Sequence, residues 1–510
     1  MKHTKRIFAL LLAGVLLTTA VGCDVGGGGS VTVPSTAATT TDSGPTICPP
    51  SGPSINRCPN FETIVSDPDD LILRVAYVEG TNGEYTLRSL EADELSDASV
   101  DIKTQERDKG LKEKLGLELR VECVSDSVAG MTAALGASLV AGESDYDILA
   151  GYGYFDIALA SQGVLLDLAK LDKYDADYID LSAPYWAEEY NKAMSYQGAH
   201  YWITGDLALR YIGGVYCTFV NTQIYNTYLE SANGSIYTLV KENKWTLDSL
   251  VTMEKQYESL RSKYNEELPY FFGYEANDSM DGLVFGAGVP FTKRDAETGE
   301  ISVVLGKKDT NFGEFGEKLT ALLTGSELSH KYPEQSNEQV RGAFMDGEVL
   351  FMVDQMLFAY TYSDWDEFTK MEYAILPMPK LNADQRNYQT TVHDGCTIFG
   401  ITHCSSRIPQ AAAALEYLAA YSSSLVAPEF YETALRGKYS RDPNAAEMID
   451  LIHDGITTDF AVAWGKSVGD PIYLLRTYTG GVDKTIERKR EDWQQKLDGV
   501  TELLGIYSQN

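Results

Sequence analysis

Few residue constellations in this chain could do covalent chemistry, and each fails on its own spacing. Gly465-Lys466-Ser467-Val468-Gly469 fits the G-x-S-x-G pattern of a hydrolase nucleophile elbow. That device needs a strand before the serine, a helix after it and a histidine later in the chain. Pro471 interrupts early, and no histidine follows Ser467. The same Gly465-Lys466-Ser467 lacks the earlier glycine of a phosphate loop, where Phe460 stands instead. His393, Cys396, His403 and Cys404 are zinc-ligand types. If Thr397 to Thr402 is extended, however, the two cysteines stand roughly 26 Å apart at about 3.3 Å per residue, too far to converge on one ion or to form a disulfide. No metal and no cofactor are expected. Paired carboxylates abound in so acidic a chain, but no pair is singled out by its setting, and the chain reads as a non-enzyme.

Residues suited to binding stand at the ends of apolar runs. Tyr152 and Tyr154 alternate with Gly151 and Gly153, a setting that suits either local packing or stacking on a ligand. Asp206, in Thr204-Gly205-Asp206, is placed to accept from ligand hydroxyls or to hold its own turn. Asp354 directly follows the apolar run Val349 to Val353, and Asp394 stands near a second such run. Glu79 and Tyr85 bracket the glycine-rich stretch after Leu71 to Val78. Trp245 leads into a helix and reads as structural.

The elements that must position these residues alternate. Leu71 to Val78 is a buried strand, Ser99 to Leu115 a helix stopped by Gly116, and Leu117 to Cys123 a period-two strand. Met131 to Ala141 is a helix closed by Gly142, Tyr146 to Leu149 a short strand, and a further helix ends at Gly163. Leu247 to Tyr264 is helical with Thr246 as N-cap, and Val349 to Val353 is a strand. Thr397 to Thr402 is a strand, Pro409 to Tyr421 an Ala-rich helix, and Asp483 to Leu504 a closing helix charged on one face. This order predicts an α/β fold with ligands beyond the carboxyl ends of the strands.

The N-terminus reads as an export signal at residues 1–22. Lys2, Lys5 and Arg6 precede the apolar run Ile7 to Val21, and small residues lead to Cys23. The run is short for a membrane span, which needs roughly 20 residues. A cysteine at this place resembles the bacterial lipobox, although Ala20 stands where Leu is usual. Cys23 is therefore the expected lipidation site. The next stretch, to residue 66, is rich in Gly, Ser, Thr and Pro and reads as a flexible tether. Cys48 and Cys58 within it are close enough in sequence to close a small disulfide loop. Loss of residues 1–22 would move the net charge from −32 to −35. Such a surface suits neither nucleic acid nor anionic lipid, so membrane contact is expected through acyl chains alone.

Several segments together resemble extracellular solute-binding proteins of family 1, the receptors of ABC sugar importers. They are Tyr146-Asp147-Ile148-Leu149, Gly163 to Leu168, and Phe344-Met345-Asp346-Gly347-Glu348-Val349-Leu350-Phe351. Ile375 to Lys380 and Pro428 to Asp442 look like a long clostridial-type branch of that family. The resemblance spans roughly residues 71 to 504. It implies a two-lobed periplasmic-binding-protein-like fold of type II that closes on a ligand. Lobe one would hold residues 67–187 with 392–430, and lobe two 188–391 with 431–510. Hinge crossings are expected near 185–190, 388–396 and 428–434. Cys396 and Cys404 depart from the family's habit at the returning strand. The resemblance also places Trp464, set in Ala461-Val462-Ala463-Trp464-Gly465, where sugar binders put a stacking aromatic. It implies a monomeric, lipid-anchored receptor at the extracytoplasmic face of the cell membrane. That receptor would capture a carbohydrate, an oligosaccharide above all, and deliver it to an ABC permease. A tethered glycoside hydrolase and a ligand sensor for a membrane kinase are the competing readings.

Overall fold

The structure is a computed structural model that describes residues 61–63, 67–79, 83–92, 95–96, 98–264, 268–275, 278–325, 327–333, 337–435, 442–476 and 482–508. Cys23, Cys48 and Cys58, and with them the expected anchor and disulfide, lie outside these residues. Phe61, expected within the tether, is instead buried and meets Tyr178 edge to face at 6.1 Å. Among the described residues no helix is long and apolar enough to cross a membrane.

The strands are β1 (Ile72–Val78), β2 (Glu118–Ser125), β3 (Ile148–Tyr152), β4 (Tyr216–Asn221), β5 (Tyr270–Glu275), β6 (Thr292–Arg294), β7 (Ile301–Val303), β8 (Ser329–Tyr332), β9 (Val349–Gln355), β10 (Tyr373–Leu376) and β11 (Thr397–Ile401). They form one sheet of order β11-β3-β1-β2, a second of order β10-β4-β9-β5-β8, and the small hairpin β6-β7. In the first sheet β1 runs parallel to β2 and β3, while β11 returns antiparallel beside β3. Leu73, Val75 and Ala76 of β1 are fully buried because that strand has neighbours on both edges. β2 is the edge strand, so its alternation leaves Leu119 and Val121 only half-buried and Cys123 exposed. Helices Ser99–Leu115 and Met131–Ala141 each end on a glycine in the left-handed region, Gly116 at φ 71° and Gly142 at φ 73°. Those are the predicted stops.

The second sheet centres on β9, every residue of which is buried. Phe351 lies between Trp245, Phe271 and Tyr225, with ring centroids 5.6, 5.1 and 6.4 Å away. Trp245 is a core residue whose indole N–H donates to the Pro377 carbonyl at 2.8 Å. Helix Leu247–Tyr264 is capped as the sequence predicts: Thr246 Oγ1 accepts from the Ser249 N–H, and Ser249 Oγ accepts from the Thr246 N–H.

The chain passes between the sheets later than expected. Residues 196–213 stay with the first sheet: Ile203 pairs with Phe399 of β11, and the Thr204 hydroxyl donates to the Thr397 carbonyl at 2.8 Å. Segment 185–190 lies in the same region, where Trp186 bridges Gly205 and the Ala187 N–H donates to Thr204. The passage falls at Gly213-Gly214-Val215, which runs beside Val392-His393. Val215 bridges Val392, and the His393 N–H donates to the Gly214 carbonyl at 2.9 Å. The turn is the Gly-Gly pair itself, which lies well past the helix Glu188–Met194. A further link is helix Ala427–Ala434, which continues from Ile408–Tyr421 through a π-helical turn at Ser422–Val426. Its Phe430 stacks on Tyr360, which follows β9. The closing helix, Asp483–Ser508, ties both regions: Lys170 donates to the Ser508 carbonyl, and Gln494 Oε1 accepts from the Val303 N–H.

Candidate ligand-binding groove

Two helical segments leave the carboxyl ends of central strands and meet across the molecule. Gly83–Leu90 follows β1, and Leu357–Thr361 follows β9. The Tyr85 and Thr361 hydroxyls lie 3.3 Å apart, and Arg88 Nη2 donates to the Tyr360 hydroxyl at 3.1 Å. Beside these contacts opens a groove of about 1130 Å³, lined among others by Tyr85, Arg88, Asp101, Tyr360, Thr361 and Asp364. Its volume is slightly above the usual range for small-molecule sites.

The groove's polar groups are held in place. Arg88 Nε donates to Asp101 Oδ1 at 3.0 Å, and the Ser96 hydroxyl donates to Asp101 Oδ2 at 2.5 Å. Tyr360 is backed by Phe430 with ring centroids 4.5 Å apart and planes 16° from parallel. Burial pushes the Tyr360 hydroxyl up, against the opposing pull of Arg88, so it stays neutral and able to donate. Behind Tyr85, the Arg210 guanidinium lies 5.8 Å from its ring and reaches His393 Nδ1 at 3.2 Å. A surface of tyrosine hydroxyls, a guanidinium and carboxylates can serve a polyhydroxylated molecule as donor and acceptor, while the rings cover its C–H faces.

Of the eight expected ligand residues, Tyr85 alone lines this groove. Glu79 is exposed at the end of β1, and its carboxylate, the Cys123 thiol and the Asp126 carboxylate have ligand atoms within 4.8 Å of one another. Tyr152 closes β3 opposite Thr397, and its N–H donates to Asp156 Oδ2 at 2.8 Å. Tyr154 and Asp394 are brought together elsewhere. The Gly153 and Tyr154 N–H groups donate to the Cys396 and Asp394 carbonyls, both at 3.0 Å. Gly153 suits this close approach, since a Cβ would stand a tight 3.1 Å from the Cys396 carbonyl and 3.2 Å from that of Asp394. The Tyr154 hydroxyl donates to Asp470 Oδ2 at 2.9 Å.

That second contact region is a packed seam. Arg476 donates to both oxygens of Asp281, at 2.9 and 2.6 Å, and to Asp394 Oδ2 at 2.9 Å. Burial pushes Asp394 up, but His393 and Arg476 outweigh it and hold the carboxyl below its ordinary range. The space left among Tyr154, Tyr190, Asp281 and Asp394 is about 20 Å³, enough for about one water.

Three expected positions are buried and already partnered in this structure. Trp464 is 2% exposed, stacks on Phe460 at 5.7 Å and donates its indole N–H to the Met194 carbonyl at 3.0 Å. The small residues around it let backbone pack closely; they do not open a cleft. Asp354 falls inside β9, which runs two residues further than the apolar pattern showed. It is 3% exposed and gripped by Arg341 Nε at 2.6 Å and Nη2 at 2.8 Å. Asp206 is buried, with His453 Nε2 2.9 Å from its Oδ1. Arg88, Tyr360, Thr361 and Arg476 were missed. Tyr360 had a signal, the aromatic run Tyr360-Thr361-Tyr362 just past a buried strand; the arginines had none.

The segments with hydrolase-like and zinc-like patterns have the following geometry. Gly465–Val468 is a helical turn preceded by the helical turn Phe460–Ala463, not by a strand. Cys396 and Cys404 sit at opposite ends of β11, one buried beside Thr204 and the other near the Leu139 carbonyl.

No protein-family model matches the chain, and no curated protein matches its sequence. Solved structures do match its fold. One is the galacto-N-biose-/lacto-N-biose I-binding protein of the ABC transporter from Bifidobacterium longum, in complex with lacto-N-biose. At 14% identity and a TM-score of 0.54, the match covers 86% of this chain and 99% of that one. Another is UgpB from Mycobacterium tuberculosis in complex with glycerophosphocholine, at 11% identity and a TM-score of 0.51, covering 86% of this chain and 98% of that one. These likenesses define the class of fold: two-lobed, α/β and periplasmic-binding-protein-like. The chain has the fold of a binding protein of an ABC transporter.

Proposed function

We propose that this protein is a family 1 solute-binding receptor that captures a carbohydrate, an oligosaccharide above all, and hands it to an ABC permease. The observation that carries the reading is the groove between Gly83–Leu90 and Leu357–Thr361, because one wall follows β1 and the other follows β9. A ligand touching both walls favours the closed arrangement over any open one, which is the condition for ligand-driven closure. Capture is favoured over turnover by the pairing of Asp101, the buried carboxylate among those that line the groove, and of the buried carboxylates elsewhere. Asp101 faces Arg88, Asp354 faces Arg341, Asp281 and Asp394 share Arg476, and Asp206 faces His453. A glycosidase instead keeps one carboxyl protonated opposite a second that is ionised. The protein would work as a monomer on the outer face of the cell membrane, held by lipid on Cys23 and needing no cofactor.

The test is a thermal-shift screen of the purified mature chain against a glycan panel, followed by chromatography of the recovered glycan. A ligand that binds only the folded state raises the melting temperature, and the account expects such a glycan to be recovered intact. Cleavage of the glycan, or no shift across the panel at millimolar concentration, would overturn it.

A further inference from the structure

The chain has six tryptophans, and five of them are interior. Trp186, Trp202, Trp245, Trp464 and Trp493 are each at most 3% exposed. Their indole N–H groups donate to Glu416, Ile157, Pro377, Met194 and Gly469 respectively. Trp365 differs on every count. It is 52% exposed, and its Nε1 has no hydrogen-bond partner among the described residues.

Its position is specific. Ser363 and Asp364 are lining residues of the groove, and Trp365 is the next residue in the chain. Its backbone is fixed on both sides, since the Trp365 N–H donates to the Tyr362 carbonyl at 3.0 Å and its own carbonyl accepts from the Thr369 N–H at 2.8 Å. The Tyr362 ring meets the indole edge to face, with centroids 4.5 Å apart and planes at 61°. A large apolar ring thus stands one residue along the chain from the groove-lining Asp364, packed against Tyr362, with about half of its surface left in water. Such a ring costs little further entropy on binding. Its face suits the C–H face of a pyranose, and its unpaired N–H suits a hydroxyl.

We infer that Trp365 forms an outer subsite that stacks on a sugar ring extending beyond the groove, so that the ligand is an oligosaccharide longer than the groove itself holds. This inference rests on the carbohydrate-capture reading above. The arrangement assigns chain-length preference to Trp365 and basic recognition to the groove.

The experiment measures calorimetric affinities of the mature full-length chain for malto-, cello-, xylo- and galacto-oligosaccharides of two to six units. Wild type is compared with Trp365→Ala and Trp365→Phe. In whichever series binds, the wild type should gain affinity with chain length. Trp365→Ala should lose that gain, roughly 2- to 12-fold for a stacking contact. Trp365→Phe should keep most of it, and the shortest binding member should bind all three proteins alike. A length dependence that survives in Trp365→Ala would overturn the inference. So would equal losses at every length with a lowered melting temperature, which would make Trp365 a fold residue. Unchanged affinities with lost permease-dependent uptake would overturn it too, assigning the indole to the transporter contact. If no series binds the wild type, the capture reading itself fails and takes this inference with it.

Discussion

Two of the places where residues following first-sheet strands meet residues from the second half of the chain are built in opposite ways. At the groove, Tyr85 and Arg88 meet Tyr360 and Thr361 through single hydrogen bonds beside about 1130 Å³ of open space. At the seam, Tyr154, Asp281, Asp394, Asp470 and Arg476 interlock around about 20 Å³, and Trp464 is packed close by. Both regions are rich in aromatic and acidic residues, so composition does not distinguish them. Connectivity does. The seam's polar groups are consumed by one another, whereas the groove's are oriented but left facing space. Residue types that suit a binding cleft also suit a tight joint, and the number of partners each group already has decides between them.

The comparison breaks most visibly at Trp464. As a core residue it should cost roughly 3–5 kcal/mol of stability when changed to Ala, read as a lowered midpoint in urea unfolding. Glycan affinity of the protein that remains folded should be unchanged. A stable Trp464→Ala variant with lost affinity would move the ligand to the seam.

The next effect concerns a buried carboxyl two residues along the chain from the seam's Tyr154. Asp156, beside Tyr152, is fully buried, and one of its oxygens has no partner among the described residues. Burial pushes its carboxyl up to about 7, against the pull of the Tyr152 N–H. Between about pH 4 and 7 the folded protein therefore keeps a proton that the unfolded chain has released. Stability should fall as pH rises through that window and level off above it. In Asp156→Asn this decline should disappear. The variant should gain roughly 1–3 kcal/mol on wild type between pH 4.5 and 8, measured by urea unfolding at each pH. Parallel pH profiles would show that the carboxyl is ionised in the folded state.

The smallest effect belongs to the groove. Tyr85→Phe removes one neutral hydroxyl and should weaken glycan binding by about 0.5–1.5 kcal/mol, or roughly 2- to 12-fold, without moving the melting temperature of the free protein. Equal affinity in both proteins would remove the Tyr85 hydroxyl from the site.

Much of the fold was legible in the sequence, because apolar periodicity and glycine stops are local signals. Ser99–Leu115 and Met131–Ala141 end on the predicted residues, and β1, β9 and β11 lie where the apolar runs stand. The helix Gly83–Leu90 was missed because its eight residues, directly after a glycine-rich loop, give little more than two turns in which to read a period. The inter-sheet passage at Gly213-Gly214 was missed because only long-range pairing, Ile203 with Phe399 and Val215 with Val392, defines it. The site was far less legible. Whether Asp354 faces a ligand or Arg341 depends on a contact thirteen residues away, and whether Trp464 stacks on sugar or on Phe460 depends on what surrounds both. The family resemblance supplied the architecture and the carbohydrate expectation, but it carried no sign of the packing of Trp464 on Phe460.

The central claim is that one ligand bridges the carboxyl ends of β1 and β9. Hydrogen–deuterium exchange on the mature protein, with and without the glycan that raises its melting temperature, tests it most directly. The account predicts added protection in Gly83–Leu90 and in Leu357–Thr361 together, with little change across residues 460–476. Protection confined to residues 151–157 and 460–476, with both groove segments unchanged, would contradict it.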